Sequence, residues 1–207
     1  MSSKALLIFH FLAFSLLFTS SSSSSSSSVQ SASASAGADD TDFIRKSCNM
    51  TEYPRLCFTS LSSRAESIRA DPELLAHAAL SVALKTARST EAALTRMARR
   101  RGLTRRETGA MRDCVEQLGD SVDQLGESLD DMRQLGGRRR GDFGLVMNDI
   151  ETWVSAALTD EDTCTEGFAG ERSRGGVKAA VRGRIVNVAH LTSNALALIN
   201  HVAQRHR

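Results

Sequence analysis

Residues 111–132 read Met111-Arg-Asp-Cys-Val-Glu-Gln-Leu-Gly-Asp-Ser-Val-Asp-Gln-Leu-Gly-Glu-Ser-Leu-Asp-Asp-Met132, the most regular hydrophobic pattern in this chain of 207 residues. Apolar residues recur there at steps of three and four: Met111, Val115, Leu118, Val122, Leu125, Leu129 and Met132. This spacing places them on one side of an α-helix, because 3.6 residues complete a turn. The segment therefore predicts a helix whose apolar side packs against other helices.

Helix-start signals occur on the N-terminal side of this segment. Thr104-Arg-Arg-Glu107 has the spacing of a capping box, so the segment's helix is expected to begin there. Further upstream, Asp71-Pro72-Glu73 supplies an N-cap and a proline at the first helical position. These signals predict a preceding helix that runs to about Arg100.

Two more amphipathic stretches follow Gly136-Gly137. The first predicts a third helix that ends near Leu158, with Trp153 expected in the core at the edge of the apolar stripe. The second predicts a fourth helix across residues 177–202. Together they indicate an all-α fold, an up-down-up-down four-helix bundle with an N-terminal helical hairpin and two disulfides.

The chain has four cysteines, for which three pairings are possible. In this topology the start of the second helix lies beside the end of the third, which predicts a bond between Cys114 and Cys164. Cys48 and Cys57 would then close the hairpin. A zinc site is disfavoured, because no Cys-x-x-Cys occurs and no histidine stands at ligand spacing from a cysteine.

Residues 1–38 resemble an export leader. One lysine precedes an apolar run that is too short to span a bilayer, and a serine tract and small-x-small steps follow it. We therefore expect a secreted protein of the apoplast or cell wall, with a four-helix bundle domain over residues 39–207 and no membrane span. The sequon Asn49-Met-Thr51 becomes a candidate N-glycosylation site.

The motifs of common enzymes and cofactor sites are missing. The chain has no Gly-x-Ser-x-Gly elbow, His-Glu-x-x-His pair, phosphate-binding glycine loop or Glu-x-x-His pair. No catalytic residue, cofactor or metal site is therefore predicted. The net charge is only +2, but arginines cluster at residues 99–101, 105–106 and 138–140. Export argues against nucleic acid, which leaves solvated loop charge or, as a weaker option, adsorption to acidic wall polysaccharide.

An acidic row lies opposite the apolar stripe of the second helix: Glu116, Asp120, Asp123, Glu127 and Asp130. For an arbitrary helix such a row is a solvated face that keeps a bundle soluble. The alternative is an electrostatic docking surface. That alternative gains weight because like charges four residues apart cost a few tenths of a kcal/mol each and few basic residues offset them.

The segment Ile150-Glu-Thr-Trp-Val-Ser-Ala-Ala-Leu-Thr-Asp-Glu-Asp-Thr-Cys-Thr-Glu-Gly-Phe168 resembles the hallmark segment of the plant invertase and pectin methylesterase inhibitor family. Cys48…Tyr53-Pro54…Cys57, the region of Asp113 to Asp123 and the stretch from Val186 to Asn200 support this resemblance. It implies a one-to-one complex in which the bundle covers the active-site cleft of a pectin methylesterase. It also implies an interface that contains Glu116, Asp120, Asp123, Thr159 and Thr163.

Three alternatives remain open. Invertase inhibitors share the bundle, but they carry a Pro-Lys-Phe element, and neither Pro54 nor Pro72 is followed by Lys-Phe. The pro-region of a longer pectin methylesterase shares the hallmark, although the expectation is a free-standing inhibitor because no catalytic domain follows. From another class, the chain could be a structural module that binds wall polysaccharide.

Overall fold

A computed structural model describes residues 27–135, 140–168 and 176–206, with the backbone alone described at residues 27–36, 140 and 141. Its helices, numbered in chain order, are α1 (Ser27–Cys48), α2 (Pro54–Leu61), α3 (Ala65–Ile68), α4 (Pro72–Ala98), α5 (Arg105–Gln134), α6 (Arg140–Glu166) and α7 (Val177–Arg205). A short 3₁₀ turn, Ser62–Arg64, joins α2 to α3. The last four helices, of 27 to 30 residues each, are the long helices of the bundle that the sequence predicts.

The two predicted N-caps are both formed. Oδ1 of Asp71 accepts the backbone N–H groups of Glu73 and Leu74 at 2.8 and 3.1 Å, and Pro72 opens α4. At the start of α5, Oγ1 of Thr104 accepts the N–H of Glu107 at 3.1 Å, and Oε2 of Glu107 accepts the N–H of Thr104 at 2.8 Å. These bonds satisfy backbone groups that would otherwise lack partners at the helix starts.

The long helices form an up-down-up-down bundle, as predicted. Helix α5 packs against α4 and α6, and α7 packs against the same two helices. At one end Nε2 of His206 on α7 lies 3.3 Å from Oε1 of Glu73 on α4. Toward the other end the Cys114–Cys164 disulfide joins α5 to α6. Buried apolar side chains from all four helices fill the centre, among them Leu80, Leu118, Ile150, Ile185 and Ile199.

The end of α6 differs from the sequence-based expectation. The helix continues to Glu166 instead of ending near Leu158. Its core-facing side continues through Ala157, Glu161 and Cys164, all of them buried. The expectation was wrong because a glutamate occupies one core-facing position and interrupts the apolar pattern, while no glycine or proline stops the helix before Gly167.

Trp153 is not a core residue. Its side chain is 42% exposed, whereas Ile150 and Val154 beside it are fully buried. One residue step along a helix turns a side chain by about 100°. Trp153 is therefore rotated away from the core-facing position that Val154 occupies.

The leader falls mainly outside the described part of the chain. Residues 1–26 are not described, and α1 already begins at Ser27. The division between residues 38 and 39 stays a prediction. Among the described helices, none combines the length and the apolar character that crossing a bilayer requires.

The N-terminal hairpin is fastened to α7 by a buried amide. Asn194 is 2% exposed, its Oδ1 accepts the N–H of Tyr53 at 3.0 Å, and its Nδ2 donates to the carbonyl of Tyr53 at 3.1 Å. The Tyr53 ring also stacks on His190, with 3.6 Å between ring centroids. The hairpin is thus held by polar contacts as well as by its own disulfide, Cys48–Cys57.

The variant Asn194→Ala is expected to lower the free energy of unfolding by about 2 kcal/mol, since it removes both partners of the Tyr53 backbone. Thermal and urea unfolding would measure this change. Asn187→Ala, on an exposed position of α7, is the matched control and is expected to change stability by less than about 0.5 kcal/mol. Equal effects of the two variants would contradict a role of Asn194 as the hairpin anchor.

Candidate functional site

The acidic row of α5 is exposed along its whole length and is called the acidic ridge below. Glu116, Asp120, Asp123 and Glu127 make neither an ion pair nor a side-chain hydrogen bond with the described residues. Asp130, the fifth member, pairs with Arg133 one turn later. Four unpaired carboxylates on one side of a helix create a negative potential that an oppositely charged surface can satisfy.

The two threonines that the family resemblance singles out lie on the exposed side of α6. Oγ1 of Thr159 donates to the carbonyl of Ser155 at 3.0 Å, and Oγ1 of Thr163 donates to the carbonyl of Thr159 at 2.8 Å. Because the hydroxyl protons are used within the helix, each side chain offers a partner its methyl group and its oxygen lone pairs.

Helices α5 and α6 form one continuous outer face. Nε2 of Gln124 on α5 donates to Oδ2 of Asp160 on α6 at 2.9 Å, and the Cys114–Cys164 disulfide fixes the same pair of helices. Trp153 precedes Asp160 by about two helical turns and so lies on the side of α6 that faces α5. The acidic ridge, the exposed Trp153 and the two threonines therefore share the α5–α6 face.

Sequence reasoning missed Trp153 as a surface residue. A half-exposed tryptophan combines a large apolar area with a polar N–H, and such residues are enriched among those that dominate binding energy at interfaces. The available signal was its position next to Val154, since both cannot face the core.

Glu161 was also missed. It is fully buried on α6, and its Oε1 accepts hydrogen bonds from Oγ of Ser121 at 2.8 Å and from Oγ1 of Thr192 at 3.0 Å. Its Oε2 has no hydrogen-bond partner among the described residues. Burial raises the pKa of this carboxyl to about 7, against the two hydroxyl hydrogen bonds, which lower it. Because the group is enclosed between three helices, it has no access to a substrate.

The remaining predicted residues are the four cysteines and Asn49. Cys48 is bonded to Cys57 and Cys114 to Cys164, the pairing that the bundle topology predicts. Asn49 is exposed in the turn that follows α1. A glycosyltransferase could therefore reach its side chain, although glycosylation itself stays a prediction.

The concave site beside the N-terminal hairpin is open to solvent and carries a mixed set of apolar, polar and ionisable side chains. An open cleft of about 500 Å³ lies against the hairpin and is lined by Glu52, Tyr53, Pro54, Arg55, Leu56, Thr59 and His190. Within the described ranges no group of three histidine, cysteine, aspartate or glutamate side chains is placed to hold a metal ion. The feature that distinguishes this molecule is the charged, convex α5–α6 face, which suits contact with another macromolecule.

The family model described as plant invertase/pectin methylesterase inhibitor matches residues 42–198. Pectinesterase inhibitor 10 of Arabidopsis thaliana is 44% identical over 78% of this chain and 51% of its own length. Pectinesterase inhibitor 11 of the same plant is 42% identical over 80% of this chain and 82% of its own length.

A solved structure has the same fold. The crystal structure of mutant form A of a pectin methylesterase inhibitor from Arabidopsis aligns with a TM-score of 0.60 over 74% of this chain and 92% of that one. At 24% sequence identity, this similarity supports the helical-bundle architecture alone.

Proposed function

Because the chain belongs to the plant invertase/pectin methylesterase inhibitor family, we propose that it is a proteinaceous inhibitor of pectin methylesterase. It forms a one-to-one complex that covers the active-site cleft of the esterase, and it catalyses nothing itself. The observation that carries this proposal is the similarity, above 40% identity over most of the chain, to proteins named pectinesterase inhibitors. The same names favour an esterase over an invertase as the target.

The α5–α6 face is the proposed contact surface. A cleft that accepts pectin has to accommodate an anionic polymer, so a row of carboxylates is a suitable ligand for it. Glu116, Asp120 and Asp123 supply the charge, which speeds association and fixes orientation. Thr159 and Thr163 supply small exposed contacts on the neighbouring helix.

Secretion to the apoplast or cell wall belongs to this proposal. The export-like leader and the two disulfides support it, because disulfides persist in oxidising compartments. In that location an acidic wall polysaccharide is a second candidate partner, which the exposed arginines at residues 99–101 and 105–106 favour; the third cluster, 138–140, lies outside the residues whose side chains are described.

The test is a titration of a plant pectin methylesterase with the protein secreted and processed by a plant expression host, while methanol release is followed. We expect activity to fall linearly to completion at an equimolar ratio. A cell-wall invertase titrated in parallel is expected to keep its activity. Loss of invertase activity alone would contradict the proposal and place the chain in the sister branch of the family.

A further inference from the structure

One end of the bundle, which contains the α4–α5 turn and the first turns of α7, is strongly basic. Seven arginines there are exposed: Arg96, Arg99, Arg100, Arg101, Arg105, Arg182 and Arg184. None of them takes part in an ion pair within the described part of the chain. This group of seven is called the basic end below.

The members from α4 and α7 lie at the same level of the bundle. Contact between Glu73 and His206 marks the register of the antiparallel helices α4 and α7 at the opposite end. Both helices rise about 1.5 Å per residue. Ala98 and Val181 are equally far from that contact along their helices, so Arg99 and Arg182 flank the same end of the α4–α7 pair.

The α4–α5 turn of the basic end carries no negative charge of its own, and the exposed Glu166 ends α6 at the same end of the bundle. The turn at residues 99–104 contains no acidic residue. Glu107, the first carboxylate after it, is 2% exposed and accepts the N–H of Thr104 in the capping box. Clustered like charges repel one another and lower stability slightly, so an extended polyanion that bridges them would bind favourably.

We propose that the basic end binds de-esterified pectin, a polymer of uronate units, at a surface separate from the α5–α6 face. Guanidinium groups bind carboxylates with two parallel hydrogen bonds, and a turn that carries three consecutive exposed arginines presents several of them to a polymer with regularly repeated carboxylates. The choice of polyanion rests on the proposed function, because removal of methyl esters by an esterase produces the carboxylates that the arginines would bind. The inhibitor would thus be retained where esterase has already acted.

The test compares binding to polygalacturonate and to highly methyl-esterified pectin by affinity electrophoresis and co-sedimentation, using the secreted, processed protein. We expect binding to polygalacturonate alone at low salt and its loss near 1 M NaCl, where the screening length falls to about 3 Å. The variant Arg99→Gln/Arg100→Gln/Arg101→Gln is expected to bind about tenfold more weakly, at roughly a factor of two for each exposed ion pair lost.

The matched control is Arg55→Gln/Arg69→Gln/Arg205→Gln, which removes the same charge from exposed arginines away from the basic end. It is expected to bind polygalacturonate as the unmodified protein does. Equal weakening in both variants, or no preference for polygalacturonate over esterified pectin, would overturn the proposal. Esterase inhibition measured on the same samples is expected to be unchanged, so failure of polymer binding and failure of inhibition are separate results.

Discussion

Replacing Glu116, Asp120 and Asp123 together by lysine is expected to weaken inhibition of pectin methylesterase by at least about a hundredfold. Each carboxylate is exposed and without an ion pair in the described part of the chain, so each is free to bind a partner. At about 1 kcal/mol for each lost interfacial contact, three contacts amount to about 3 kcal/mol, or more than a hundredfold in the dissociation constant. Repulsion between the new lysines and a cationic site on the esterase would add to this loss.

The loss of affinity is also expected to appear mainly in one of the two rate constants of the complex. Complementary charges act mainly on diffusional encounter, so the association rate constant is expected to fall more than the dissociation rate constant rises. Surface plasmon resonance at two salt concentrations would measure the association and dissociation rate constants separately. The inhibition by the unmodified protein is expected to weaken with salt, whereas that of the variant is expected to depend on salt far less.

A control with equal charge change excludes a general effect of net charge. Asp39→Lys/Asp42→Lys/Glu66→Lys reverses three exposed carboxylates on the N-terminal elements, away from the acidic ridge. Circular dichroism and thermal unfolding would establish that both variants fold. If both inhibit as well as the unmodified protein, the acidic ridge is a solvated face with no part in recognition.

The bundle itself could be predicted from the sequence because its determinants are local. Apolar steps of three and four define α5, and the Thr104–Glu107 capping box and the Asp71-Pro72 start define two helix beginnings without any tertiary information. The disulfide pairing then followed from topology, since antiparallel neighbours place the start of α5 beside the end of α6. The exposure of the acidic ridge followed in the same way, because it lies opposite the stripe that has to be buried.

Two residues of α6 could not be predicted correctly because their environment depends on tertiary packing. Glu161 occupies a core-facing position between Ala157 and Cys164. A prediction from the spacing of apolar residues ends the helix before Glu161, because it expects an apolar residue at that position. The hydroxyls of Ser121 and Thr192, from two other helices, donate hydrogen bonds to it in the core. Trp153 was misplaced for the converse reason, since its apolar character suggests burial whereas its direction on the helix exposes it.

The stability of the protein is expected to fall by about 3 kcal/mol between pH 4.5 and pH 7 through the titration of Glu161 alone. Its pKa is about 7 in the folded state against 4.5 for an unperturbed glutamate. The folded state therefore binds more protons than the unfolded state in this interval, and such a group favours folding at low pH. The difference between the two pKa values, at about 1.4 kcal/mol per pH unit, amounts to about 3.5 kcal/mol in total, most of which is lost between pH 4.5 and pH 7 and the rest above the folded pKa.

Burial is the main cause of this raised pKa. The carboxyl has no exposed surface, and its neighbours Asp160 and Asp162 raise the pKa further because a third negative charge beside them is unfavourable. Ser121 from α5 and Thr192 from α7 stabilise the ionised form, but both are neutral, and the Thr192 hydroxyl is shared between Oε1 and the carbonyl of Val188. Oε2 would remain a buried charge-bearing oxygen without a donor among the described residues.

Glu161→Gln tests this account, because glutamine keeps an oxygen that accepts from Ser121 and Thr192 but does not ionise. Above pH 7 the variant is expected to be more stable than the unmodified protein by about 3 kcal/mol, and near pH 4.5 the two are expected to converge. Urea unfolding at a series of pH values gives the difference in the free energy of unfolding between the variant and the unmodified protein. All other groups titrate in the same way in both proteins, so their contributions cancel in this difference.

Glu166→Gln, at an exposed position on the same helix, is the matched control. Its stability is expected to follow that of the unmodified protein at every pH. A constant difference between Glu161→Gln and the unmodified protein across the series would mean that Glu161 binds its proton equally in the folded and unfolded states, and the proton would then have no part in stabilising the α5–α6–α7 contact.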